Sequence, residues 1–171
     1  MRANKDRLIN IASKGVAESR YSNGDSSPLA TSMGYQVRIT YRMLEKFIQD
    51  RLVDTDVQIG MWYFFRILWI QDGLTQRELS RRVGTAEPTT LEQLRKMEKH
   101  GHITRKRSKE DRRVVHVFLT PKGRALEKKL MKHVSELNAA ALEGFSADQT
   151  IMLRDLLSRV QNNMLRAKEK N

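Results

Sequence analysis

Thr85, Thr89, Gln93 and Lys96 recur at helical spacing, and a cluster of cationic side chains, Arg107, Lys109, Arg112 and Arg113, follows them. Glutamine can pair bidentately with adenine, and threonine can meet a thymine methyl group. Lys96 stands farther along and can reach guanine or a phosphate. A flexible basic tip suits a narrow minor groove, where the negative potential is enhanced. This chemistry is recognition by hydrogen bonds and charge, with no bond made or broken. Thr75, Gln76, Pro88 and Thr90 complete the set of candidate contacts. Glu92 fits less well, because phosphates repel a carboxylate. It can accept from cytosine N4 or hold Lys96 as an i,i+4 pair. Asp111 is expected to pair with Arg113 and set the shape of the tip. An ordinary surface helix followed by a solvated charge run would use the same residues.

The elements that must carry these groups can be read locally. Thr75 caps a short helix, with Glu78 at the capping-box distance, and Gly84 stops it. Pro88 suits the first turn of the next helix. On that helix Thr90, Leu91, Leu94 and Met97 share one face, while Thr85, Thr89, Glu92 and Lys96 lie opposite, with Gln93 at the edge. Gly101 ends it. Residues 103–107 and 114–119 read as two strands joined by a polar, basic tip, SKEDRR. Helix, turn, helix and basic hairpin together describe a winged helix-turn-helix, which places one helix in a DNA major groove.

Charge follows the same segment. The 171-residue chain carries 32 Lys and Arg against 20 Asp and Glu, a formal net of +12. Residues 77–113 hold 12 basic and 6 acidic side chains, so half of the excess falls in this stretch. Such a balance favours an anionic partner: nucleic acid, an anionic membrane surface or an acidic protein. The length suits one domain, or one with an appendage.

The flanking segments are helical. Ser32 can cap a helix reaching about residue 52, with Val37, Tyr41, Leu44, Ile48 and Leu52 on one stripe. The next helix, about 57–71, contains MWYFFRILWI and is apolar on most faces, as a central core helix is. Pro121 opens a long helix to about residue 143. Ser146 and Gln149 form a second capping box before a last helix striped by Leu153, Leu156, Leu157, Val160 and Met164. Residues 6–17 can form a weak amphipathic helix, and residues 21–28 break it; the arm reads equally as a hinge or a disordered tail.

Other chemistry is thin. With no cysteine, thiol redox sensing, cysteine-ligated zinc and disulfides drop out. His100, His102, His116 and His133 show no metal-ligand spacing and read as satisfied or solvated histidines. No phosphate loop, nucleophile elbow or paired-carboxylate motif appears, so no enzyme activity, metal or cofactor is expected. No apolar run spans a bilayer and the start lacks a signal-peptide core, so a cytoplasmic location is expected.

The run LTQRELSRRVG, PTTLEQLRKMEKHG, ITRKRSKEDRR and VFLTPKG resembles the MarR family of bacterial transcription regulators over about residues 32–164. The resemblance implies a mainly α fold with a small β-hairpin wing, the winged helix-turn-helix being flanked by N- and C-terminal dimerisation helices. The segments expected are an arm at 1–31, a first dimerisation helix at 32–56, a DNA-binding lobe at 57–120, dimerisation helices at 121–165 and a tail at 166–171. It also implies a homodimer on double-stranded DNA at a pseudo-palindromic operator, acting as a repressor. Relatives of this kind release DNA when a small molecule binds between dimer helices and lobe. Arg38, Tyr41, Trp62, Phe65, Arg66 and Trp69 could line such a site for an aromatic carboxylate or an acyl-thioester. Two departures stand out: His102 replaces the usual apolar residue after the glycine, and the arm is longer than the typical start. A nonspecific architectural or nucleoid protein would share the basic wing and is the alternative function.

Overall fold

The computed structural model describes residues 31–169; the expectations for the N-terminal arm lie outside the described residues. Six helices and one hairpin follow in order: α1 (Met33–Arg51), α2 (Ile59–Ile70), α3 (Gln76–Val83), α4 (Glu87–Lys99), β1 (Ile103–Arg107), β2 (Val115–Leu119), α5 (Pro121–Ala141) and α6 (Ala147–Glu169). The chain divides into two compact units, residues 1–43 and 44–171, and the division falls inside α1. Ile48 and Leu52, at the end of α1, already belong to the buried core of the second unit.

That core is organised by α2. Met61, Trp62, Phe64, Phe65 and Leu68 are all buried, which is why this helix is apolar on most faces. Around it pack Leu79 of α3, Leu94 and Met97 of α4, Ile103, Val117 and Leu119 of the hairpin, and Leu130 of α5. The strands pair antiparallel from Ile103 opposite Leu119 to Arg107 opposite Val115. A third segment joins them: Gly73 and Leu74 exchange backbone hydrogen bonds with Val117, at 3.0 and 2.9 Å. The hairpin is thereby tied to the start of α3, an attachment that the local pattern of residues 71–75 did not show.

The local signals act as expected. Thr75 accepts from the Glu78 backbone at 3.1 Å, and the Glu78 carboxylate accepts from the Thr75 backbone at 2.8 Å. Gly84 closes α3 in the left-handed region, with φ 75°. Ser146 and Gln149 exchange the equivalent pair of bonds before α6. That helix continues to Glu169, so the expected tail at 166–171 is helical through most of its length.

Candidate nucleic-acid interface

The N-terminus of α4 and the wing tip are both exposed to solvent. Pro88 and Thr89 are exposed on α4. Lys96 is half-buried and pairs with Glu92 at 2.7 Å, and that lysine holds the Glu92 carboxyl below the usual carboxylate range. Of the two roles open to Glu92, the structure has the i,i+4 pair. At the tip, Arg107, Lys109, Arg112 and Arg113 are all exposed. Asp111 accepts from the Arg113 backbone at 2.9 Å and from its guanidinium at 3.1 Å through each carboxylate oxygen. These bonds lower the Asp111 pKa and shape the tip as anticipated.

Five sequence-assigned contacts are engaged, wholly or in part, within the protein. Thr90 is buried, its hydroxyl 2.9 Å from that of half-buried Thr85, so the pair bridges the turn between α3 and α4. Thr90 cannot read a base from that position. Gln93 turns its amide toward α2: a Cβ placed on Gly60 would lie 2.8 Å from its Oε1, and that oxygen is buried without a hydrogen-bond partner. At the margin of the apolar stripe, contact with Gly60 took the side chain inward. The Thr75 hydroxyl is committed to Glu78, to which it donates at 2.7 Å. These bonds hold the Glu78 carboxyl low. The Gln76 carbonyl accepts from Arg105 at 3.4 Å, leaving its amide N–H groups for a ligand.

Replacing Gln93 by methionine removes a stranded oxygen at similar volume. Stability should stay level or rise by up to about 1 kcal/mol, and base preference should not move. Thermal unfolding and binding to single-base operator variants check both; relaxed preference at one base position would return Gln93 to the groove.

Arg105 was missed by sequence reading. It donates to the Glu98 carboxylate at 2.9 and 2.6 Å, clamping β1 to α4 so that wing and helix move together. The alternation of buried and exposed residues along β1 is the signal that could have found it, since Arg105 shares the inner side with Ile103. Exposed Arg77 of α3 lines a cleft with Glu87 and Pro88, and exposed Arg81 lines one with Arg77 and Glu87.

Of the suggested effector residues, four belong to α2 and two to α1. Trp62 and Phe65 are fully buried in the core. Phe65 stacks on Trp69 at 5.3 Å, and the Trp69 indole donates to the Gly123 carbonyl at 3.0 Å. Arg66 is half-buried, 5.8 Å from the Trp62 ring. Arg38 and Tyr41 are exposed on the first half of α1. Two of the four histidines share one carboxylate. Asp56, His100 and His102 are brought together, with donor atoms all within 4.8 Å of one another, a grouping that spacing along the chain concealed.

Residues 62–115 match the family described as the MarR family. The chain is 24% identical to the HTH-type transcriptional regulator TtmR of Methylorubrum extorquens, over 85% of this chain and 74% of that protein. Among solved structures, a MarR transcriptional regulator from Methanosarcina mazei superposes with a TM-score of 0.73 at 28% identity, covering 78% of this chain and 96% of its own. A MarR-family regulator from Listeria monocytogenes, solved with a 26mer DNA, gives 0.75 at 23% identity, covering 82% and 96%; at that identity the likeness concerns the fold. Among the described residues no helix is long and apolar enough to cross a membrane. The helix order, the hairpin and the matched segment agree: residues 62–115 carry a MarR-family domain, and the chain around it is similar to MarR-type transcription regulators.

Proposed function

We propose that the protein is a homodimeric, sequence-specific repressor that inserts α4 into the major groove while the wing tip grips the adjacent minor groove. The observation that carries this reading is the exposure of Pro88, Thr89 and the four tip cations on two elements, α4 and the wing, that Arg105 and Glu98 lock together. Base contacts come from Thr89 and the Gln76 amide, phosphate contacts from Arg77, Lys109 and Arg112. Two-fold pairing through α5 and α6 would present two α4 helices at successive grooves, roughly 34 Å apart. The dimer is supported by α6: it buries no residue in the single chain although Leu153, Leu156 and Leu157 line one side. A stripe of that kind is covered in a stable protein.

A promoter fragment competed against random DNA tests the reading. A high specificity ratio supports it; equal binding to both with a steep salt slope identifies an architectural protein instead. Arg113→Ala should weaken operator binding roughly 10–100-fold for the dimer, and lower the salt slope by about 1 per lost phosphate contact. The side chain is 92% exposed and bonds only locally to Asp111, so circular dichroism should not change. Unaltered affinity would take the wing out of the interface. Release by a small aromatic or anionic ligand belongs to the same reading, with the Arg66 guanidinium as its anchor; titrating the DNA complex with aromatic carboxylates and their thioesters tests that part.

A further inference from the structure

We propose that Asp56, His100 and His102 form a binding site for a divalent d-block cation of the zinc class, seated where α4 passes into the wing. Asp56 comes from the loop between α1 and α2, His100 is the C-cap of α4, and His102 immediately precedes β1. Gly101, with φ 72°, turns the chain between the two histidines. Their rings consequently lie nearly parallel, 5.9 Å apart at 10°, and both face the same carboxylate. His102 Nε2 is 3.2 Å from Asp56 Oδ1, and His100 Nδ1 is 3.9 Å from Oδ2. Two donors of a tetrahedral zinc, at about 2.0–2.2 Å from the metal, stand about 3.4 Å apart. The Asp56–His102 pair already has that separation. His100 needs only a small side-chain rotation, which its 38% exposure allows.

A second observation points to the same ligand. His102 is completely buried, and neither of its ring nitrogens makes a hydrogen bond. The 3.2 Å approach to Asp56 is short in distance but does not give a hydrogen bond in direction. Buried polar groups are normally paired, and a nitrogen lone pair left beside a carboxylate is the arrangement a metal completes. Lys122 donates to Oδ2 at 2.6 Å and to the His100 carbonyl at 2.9 Å, an outer partner that orients the carboxylate while Oδ1 remains directed at His102. Phe65 walls the inner side, its ring 5.2 Å from that of His102. Three protein donors leave a fourth position for water, and imidazole with carboxylate selects zinc-like ions over calcium or magnesium.

The location gives the ion a consequence. Bound there, it would tie the end of α4 and the base of the wing to a third segment, and so alter the pose of both reading elements. This second step rests on the DNA-binding reading above; the metal site itself does not.

Full-length protein stripped of metal is titrated with zinc chloride in competition with a chromophoric chelator, and in parallel with cobalt(II) chloride. The expected result is one zinc per chain with a dissociation constant below about 10 µM, and visible cobalt bands of the intensity of a tetrahedral site. His100→Ala and Asp56→Asn should each weaken binding at least about tenfold, or roughly 1.4 kcal/mol, with an unchanged helical signal. These two partly exposed positions carry the test because a change at buried His102 can unfold the lobe. Absence of a site tighter than about 10 µM, or zinc binding equal in both variants and the wild type, overturns the proposal. Duplex affinity measured with and without zinc separates the two steps. A protein that binds zinc but no duplex sinks the DNA-binding reading and leaves the site standing. Equal duplex affinity in both conditions removes the coupling.

Discussion

Glutamate at both Leu153 and Leu157 is expected to turn the proposed dimer into monomers and to reduce operator affinity by roughly 10²–10⁴-fold. Each leucine contributes about 1.5–3 kcal/mol when fully covered, and each glutamate would place an unpaired carboxylate against the partner's apolar stripe. In the single chain both leucines are exposed, and α6 adds nothing to the core of the lobe. The change therefore falls on association and spares the protomer's own packing. Affinity falls because one half-site contact no longer holds the other at high effective concentration. Sedimentation velocity reads the mass and fluorescence anisotropy reads the affinity. A monomer that binds a full operator as tightly as the wild type would overturn the paired-helix arrangement.

Gly123→Ala is expected to destabilise the fold by about 3 kcal/mol or more, a fall in Tm of roughly 6–12 °C for a chain of this size. A methyl group there would lie 2.2 Å from the His102 carbonyl oxygen and 3.1 Å from Leu119. That oxygen cannot step aside. It accepts from the Thr120 backbone at 2.9 Å and from its hydroxyl at 3.0 Å, while Gly123 itself is held by a bond from its N–H to Thr120 at 3.1 Å and by the Trp69 indole at its carbonyl. No rotamer relieves a clash of backbone against Cβ. Gly34→Ala is the control, since an added methyl there meets nothing within 4 Å; it should be neutral or stabilising by about 0.5–1 kcal/mol. Calorimetry on both variants decides the point, and equal melting temperatures would show that the first turn of α5 can shift off the hairpin.

The glycine of the LTPKG run thus has a packing reason that the run alone does not display. The same division holds across the molecule. Capping boxes at Thr75 and Ser146, the left-handed stop at Gly84, the Glu92–Lys96 pair and the Asp111–Arg113 tip could all be read from residue order. Each joins groups within a few residues of one another, where helix or turn geometry fixes the distance. The apolar stripe of α4 likewise identified Leu94 and Met97 as core, but it left Gln93 on the margin, and only the approach of Gly60 on another helix settled which way that side chain went. The attachment of Gly73 and Leu74 to β2, the clamp from Arg105 to Glu98, and the meeting of Asp56 with His100 and His102 were decided by tertiary structure. Such contacts depend on how separate elements pack around α2, and periodicity along a chain records which side of an element is apolar without recording what that side, or its edge, will touch.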